Sequence, residues 1–135
     1  MLQPKKEKYR KKFRGKMRGN SQRANAISVG DYALKAVTRG WVSARQLEAA
    51  RKAIAHYTKR KGKLWVRVFP DKSYTQKPAE VKMGGGKGEI EGYVAVVKPG
   101  RIIFEIGGIE KEIAQEAFRR AGSKLSVLTK FITKD

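Results

Sequence analysis

The stretch SARQLEAARKAIAHYTKRKG, residues 43–62, predicts the clearest helix of this chain. Ser43 and Gln46 form a capping box, because the serine side chain can accept from the N–H of Gln46 while the glutamine side chain reaches back to the N-cap. An apolar stripe at helical spacing then points to a core, and it consists of Leu47, Ala50, Ile54 and Tyr57. Gly62 is the predicted stop of the helix.

A strand follows this helix. Residues 64–69, LWVRVF, alternate between two faces and are rich in strand-forming side chains before Pro70 ends them. Leu64, Val66 and Val68 form the face expected to meet the core. The opposite face, Trp65, Arg67 and Phe69, has two open interpretations, which are burial in a second layer and stacking on RNA.

The C-terminal part of the sequence contains the remaining predicted strands and the second predicted helix. Residues 92–97 and 101–106 flank Lys98-Pro99-Gly100, a type II turn signal, so these two strands are expected to pair antiparallel. A second helix is predicted from Glu110 to Ala121, with Ile113, Ala117 and Ala121 on one side, and a last strand over residues 126–132. We therefore predict an α+β fold in which two helices pack on a mixed or antiparallel sheet, as a single domain over residues 26–135.

The charge is large and unevenly distributed. The 135 residues carry a formal net charge of +20, and residues 1–88 contain 24 Lys and Arg against 5 Asp and Glu, whereas residues 89–135 contain 8 against 7. Such a surface repels itself unless a polyanion lies against it. Nucleic acid is the expected partner, because cations that neutralise phosphates release condensed counterions.

Residues 1–25 form a basic arm that we expect to be disordered when free and ordered on RNA. Tyr9 and Phe13 interleave with its cations and could stack on bases. Its predicted RNA-binding residues are Lys5, Lys6, Lys8, Arg10, Lys11, Lys12, Arg14, Lys16, Arg18 and Arg23.

The first helix adds a row of cations away from its apolar stripe. Arg45, Lys52 and Lys59 repeat every seven residues, and either a solvated face or an RNA-binding face explains such a row. Arg60 and Lys63 complete the predicted RNA-binding set. His56, beside the stripe, is interpreted as a partly packed polar residue.

Residues 70–91 are predicted to be one long projecting loop, rich in Gly and Lys. Four glycines among residues 84–88 allow the backbone to approach a ligand closely, and Lys77, Lys82 and Lys87 add charge. A phosphate-binding P-loop is excluded, because Gly88 rather than Ser or Thr follows Lys87.

No active site, metal site or cofactor is predicted. The chain has no Cys and a single His, which excludes thiolate and His-cluster metal sites. Glu89 and Glu91 form a close acid pair near the loop, but no third ligand or base accompanies them. A charged N-terminus and the lack of a long apolar run predict no signal peptide and no membrane association.

Several blocks of residues resemble a known family. They are Met1-Leu2-Gln3-Pro4-Lys5, residues 44–51, Gly62 to Lys72 with its Phe69-Pro70-Asp71-Lys72, Met83-Gly84 with Gly86-Lys87-Gly88, and residues 94–100. In this order they closely resemble the large-subunit ribosomal protein sixteen family of bacteria and organelles. Ser73, Lys82 and Ser126 depart from it, since relatives usually have Pro, Arg and Pro there.

The resemblance implies a structural constituent of the large ribosomal subunit that binds 23S ribosomal RNA, aids subunit assembly and is not an enzyme. It also implies an α/β-hammerhead type fold and a cytoplasmic or organellar ribosome as the location. The loop and arm would approach A-site transfer RNA, with the P site, 5S ribosomal RNA and neighbouring ribosomal proteins as further candidate partners. The residues expected near transfer RNA are Lys77, Lys82, Met83, Gly84, Gly85, Gly86, Lys87 and Gly88.

Two hypotheses from other classes stand beside this one. A free-standing nucleic-acid chaperone would use the arm and loop without a ribosome. A small RNA-processing enzyme would use Glu89 and Glu91 with a divalent metal.

Overall fold

The computed structural model describes residues 25–75 and 90–134, so nearly all of the arm and residues 76–89 of the predicted loop lie outside the described residues. The elements in chain order are β1 (Tyr32–Ala36), β2 (Gly40–Ser43), α1 (Ala44–Thr58), β3 (Lys63–Val66), β4 (Lys72–Thr75), β5 (Ile90–Val97), β6 (Ile102–Gly107), α2 (Lys111–Gly122) and β7 (Thr129–Thr133).

Two antiparallel sheets form the framework. One has the strand order β3-β6-β1-β7 and the other has the order β2-β5-β4. The helix α1 packs against β2 and β5, α2 packs against β1 and β7, and the two helices pack against each other. The predicted α+β class with two helices on antiparallel strands is confirmed, and the strands divide between two sheets.

The core lies where the helices meet the sheets. Phe104 and Ile103 on β6, Phe118 on α2 and Leu47 and Ile54 on α1 are all essentially without solvent exposure. These side chains belong to one continuous apolar cluster. Because burying one such side chain contributes about 1.5–3 kcal/mol, this cluster holds the helices in a fixed relation to each other.

The start of α1 agrees with the prediction, and its end does not. The Gln46 N–H donates to Ser43 Oγ at 3.1 Å, and the Ser43 N–H donates to Gln46 Oε1 at 3.0 Å. The helix ends at Thr58 instead of at Gly62, because Lys59 and Arg60 adopt left-handed conformations with φ of 54° and 62°. Gly62 instead passes close to β6, where a Cβ on it would lie 2.6 Å from the Gly107 carbonyl oxygen.

The strand predicted over residues 64–69 ends at Val66. Val68 is buried, but Phe69 is 47% exposed, so the Trp65-Arg67-Phe69 face is not a continuous buried layer. Arg67 turns instead towards the buried carboxylate of Glu105.

The predicted hairpin at Pro99-Gly100 is wrong in its pairing, although the turn exists. The Arg101 N–H donates to the Lys98 carbonyl at 3.2 Å, and Gly100 has φ of 95°. However, β5 pairs with β2 and β4, whereas β6 pairs with β1 and β3. A type II turn does not match the twist of a two-stranded hairpin, so its arms diverge into separate sheets.

Three strands were not predicted. β1 and β2 lie in residues 32–43, where the strands are only five and four residues long and carry little hydrophobic pattern. β4 lies inside the predicted loop 70–91. Its residues are mostly polar, and it forms a strand because its backbone pairs antiparallel with β5.

Helix α2 contains a further correction. Ala117 and Ala121 are buried, as their predicted side of the helix implies, but Ile113 is 36% exposed, and Ala114 and Phe118 complete the buried side. The final strand is confirmed over Thr129–Thr133.

Candidate nucleic-acid interface

A groove lies between α1 and α2, and basic side chains line it. Its volume is about 1070 Å³. We call it the basic groove, and the charged residues that line it are Arg51, Lys52, Arg60, Arg119, Arg120 and Lys124. No acidic side chain belongs to this lining in the described ranges, and the cations that no nearby glutamate pairs with give the groove a positive field.

Two of these arginines are held by glutamates three residues earlier on the same helix. Arg51 Nη2 donates to Glu48 Oε1 at 2.5 Å, and Arg119 Nε donates to Glu116 Oε1 at 2.7 Å. The hydrogen bond from Arg51 lowers the pKa of Glu48, and the hydrogen bond from Arg119 lowers the pKa of Glu116. Both carboxylates therefore stay ionised at neutral pH and orient their arginines.

Arg120 has two partners, and one of them is again Glu116, whose Oε2 lies 3.7 Å from Arg120 Nε. Its guanidinium carbon lies 4.4 Å from the centroid of the Tyr57 ring, a cation–π arrangement. Tyr57, predicted as a core residue of the apolar stripe, is only partly buried and forms a platform for this arginine at the helix–helix contact.

The remaining cations of the basic groove are available to a ligand. Within residues 25–75 and 90–134, no carboxylate forms an ion pair with Lys52, Arg60 or Lys124. Arg60 reaches the groove because the left-handed turn after Thr58 redirects the chain there. His56, predicted to be partly packed, is exposed and also lines the groove.

The structure brings together only part of the predicted RNA-binding set. Lys52 and Arg60 line the basic groove, whereas Arg45, Lys59 and Lys63 are exposed outside its lining. Lys63 lies over the Trp65 ring at 5.4 Å. The ten predicted cations of the arm and the predicted loop residues from Lys77 to Gly88 lie outside the described residues.

Sequence reasoning missed four lining cations, which are Arg51, Arg119, Arg120 and Lys124. In the sequence, Arg119 and Arg120 indicated only the C-terminal end of a helix, where cations interact favourably with the helix dipole. Their role depends on the packing of α2 against α1, and no local pattern reveals that contact.

A buried carboxylate fixes the point where the arm leaves the folded body. None of the Glu105 side chain is exposed, and Arg67 forms an ion pair with it. The N–H groups of Gly30, Val29 and Ser28 donate to its Oε1 at 2.8, 2.9 and 3.2 Å. Burial by itself would raise the pKa of Glu105, but these three hydrogen bonds and Arg67 outweigh it and lower the pKa.

Gly30 is needed for this close approach. A Cβ on Gly30 would lie 2.9 Å from the Ile106 carbonyl oxygen and 3.0 Å from the Glu105 Cβ. The backbone of residues 28–30 therefore lies directly against β6, and the arm begins from a fixed position.

Comparison with known proteins decides the family. A family model described as ribosomal protein L16p/L10e matches residues 4–132. The chain belongs to this family. A relative named large ribosomal subunit protein uL16, from Stenotrophomonas maltophilia (strain K279a), is 57% identical over 99% of this chain and 98% of its own length.

Two further relatives carry the same name. The protein from Trichodesmium erythraeum is 55% identical over 100% of this chain and 98% of its own length. The protein from Thermosipho melanesiensis is 53% identical over 99% of this chain and 94% of its own length. The expected ribosomal resemblance is thereby confirmed over nearly the whole chain.

Membership of the L16p/L10e family makes this a structural ribosomal protein in translation and not an enzyme. The RNA-processing hypothesis built on Glu89 and Glu91 is therefore wrong. Where the structure describes the chain, it finds no cluster of three His, Asp or Glu that could hold a metal. None of the described helices is long and apolar enough to cross a membrane.

Proposed function

We propose that this constituent of the large ribosomal subunit binds 23S ribosomal RNA through the basic groove, together with the basic arm. The observation that carries the proposal is the convergence on one groove of six cations, four from the two helices and two from the residues that follow them, with no acidic side chain in its described lining.

The chemistry of the groove suits an RNA backbone. Arg51 donates from Nε and Nη2 to Glu48, and Arg119 donates from Nε to Glu116. The Nη1 group of each oriented guanidinium is therefore a donor that a phosphate oxygen can use. Lys52 and Lys124 act as point charges and neutralise further phosphates. Recognition through phosphates positions the protein on RNA without reading a base sequence.

The test replaces three cations of the groove that have no described carboxylate partner. We expect Lys52→Gln, Arg60→Gln and Lys124→Gln together to reduce the slope of log affinity against log salt by about 2–3 on a large ribosomal RNA fragment. Because these residues are exposed or partly exposed, the free energy of unfolding should change little.

The matched control removes the same charge elsewhere. Lys111→Gln, Lys130→Gln and Lys134→Gln replace three exposed lysines that do not line the basic groove. Its salt slope should remain that of the parent protein. Equal losses in the two triple variants would show that total charge alone matters, and the groove would lose its proposed role.

We also propose that residues 76–89, which connect β4 and β5, reach A-site transfer RNA, and that the P site lies within reach. Support comes from the residues themselves, since Lys82, Lys87 and the glycines between them combine charge with close backbone approach. Because β4 and β5 already pair with each other, a shorter connection between them would cost little closure entropy.

The experiment deletes residues Lys82 to Lys87 and measures two quantities on the same purified subunits. Occupancy of the variant in large subunits should stay near that of the parent, while A-site transfer RNA binding should weaken. Undiminished A-site binding would overturn the transfer RNA proposal. Failure of the variant to enter subunits would assign these residues to assembly instead.

A further inference from the structure

Helix α2 has a second groove on its other side, between α2 and β7. Its volume is about 530 Å³. We call it the α2–β7 groove. It is lined by the apolar side chains of Leu34, Phe118 and Phe131 and by the polar residues Glu112, Gln115, Glu116, Arg119 and Thr129, with Gly122 between them.

The apolar floor of this groove is rigid. The Phe131 ring stacks on Tyr32 at a centroid distance of 5.6 Å and packs against Phe118 at 6.1 Å. A Cβ on Gly122 would lie 2.6 Å from Thr129 Oγ1, so the missing side chain lets α2 approach β7 closely. The groove therefore exists before any ligand arrives, and a ligand does not have to open it.

The charged lining of this groove consists of two acids and one cation, whereas that of the basic groove contains cations alone in the described ranges. Glu112 and Glu116 lie one helical turn apart on the wall of the groove. Glu116 forms an ion pair with Arg119. Glu112 forms no ion pair with any residue of the described ranges. An RNA backbone would be repelled here, whereas a Lys or Arg side chain could lay its apolar stem on Phe131 and bring its charge to Glu112.

The neighbouring strand offers backbone groups as well. β7 is the last strand of its sheet, and its outer edge pairs with no described strand. Unpaired N–H and C=O groups along such an edge can bind an extended segment as an added strand.

We propose that the α2–β7 groove docks an extended segment containing Lys or Arg from a neighbouring protein of the assembled subunit. Backbone hydrogen bonds to the β7 edge fix the register of the segment. A cationic side chain fills the groove, with its stem over Phe131 and its charge at Glu112. The surface of α2 thus divides its partners, with RNA on the side of α1 and protein on the side of β7.

Photocrosslinking in assembled large subunits tests this division. A benzoylphenylalanine at position 115, on the exposed wall of the α2–β7 groove, should give a protein adduct, and the crosslinked peptide should carry Lys or Arg within a few residues. The same reagent at position 52, in the basic groove, should give an RNA adduct in subunits prepared in parallel. An RNA adduct at position 115, no adduct there, or an adduct to a segment without basic residues would overturn the proposal.

A charge reversal supplies the second readout. Glu112→Lys should lower the protein crosslink from position 115 by about fivefold or more, since it replaces an attractive pair with a repulsive one. Glu110→Lys is the matched control, because it makes the same change at an exposed residue two positions earlier that does not line the groove. Equal yields in these two variants would remove Glu112 from the proposed site. Loss of the RNA adduct at position 52 would count against the basic groove and leave this inference standing.

Discussion

Glu105 is a single residue on which both folding and the path of the arm depend. Its carboxylate accepts three backbone N–H groups of residues 28–30 and pairs with Arg67, with no exposure to solvent. We expect Glu105→Gln to lower the free energy of unfolding by about 2–3 kcal/mol, because the amide leaves Arg67 without its counter-charge. Chemical denaturation of the two proteins measures this difference.

The same residue predicts a pH dependence with a definite sign. Since the pKa of Glu105 is lowered in the folded state, its contribution is fully present above its unfolded pKa of about 4.3 and is lost as the pH falls through the folded value. The stabilities of the parent and Glu105→Gln should differ constantly between about pH 7 and 5 and converge below that range. Glu110→Gln, at an exposed N-cap with no side-chain hydrogen bond, is the control variant and is measured over the same pH range. A constant difference down to about pH 3 would contradict the assignment.

The backbone geometry at the end of helix α1 lowers the free energy of unfolding. Lys59 and Arg60 are both left-handed, a conformation that costs an L-residue about 1–2 kcal/mol. We expect Lys59→Gly to stabilise the protein by up to about 1 kcal/mol, since glycine adopts this backbone without strain. Lys59→Ala removes the same charge and keeps the strain, so it should not stabilise. Equal stability of the two variants in chemical denaturation would contradict this reading.

Elements with strong local signals were predictable, and elements defined by distant contacts were not. The capping box of Ser43 and Gln46 and the turn at Pro99-Gly100 depend on neighbours in sequence, and both exist. The pairing of β5 and β6 depends on β2 and β1, two short strands whose sequences show no clear hydrophobic alternation. Two of the six cations of the basic groove were predictable, because Lys52 stands in the charge row of the first helix and Arg60 in the basic residues that follow it. Arg119 and Arg120 join the groove only through packing of α2 on α1.

For the whole molecule, the uneven charge makes a prediction about salt. The excess of cations in residues 1–88 provides for roughly six to ten phosphate contacts, so affinity for structured ribosomal RNA should fall about a thousandfold or more between about 50 and 200 mM salt. Filter binding or fluorescence titration over this range measures it. A nearly flat dependence would mean that phosphates contribute little to binding.

Under the proposed mode of RNA binding, the contact of residues 28–30 with Glu105 connects two binding segments, the arm and the basic groove, at a fixed point. With the groove bound to RNA, the phosphates available to residues 1–24 lie within roughly 80 Å of residue 25, because a chain of that length can reach no further. The effective concentration of the arm at nearby phosphates is then on the order of millimolar, which strengthens binding with no additional contact. The arm supplied as a separate peptide, with the remainder of the chain in the same tube, should therefore bind far more weakly than the intact protein.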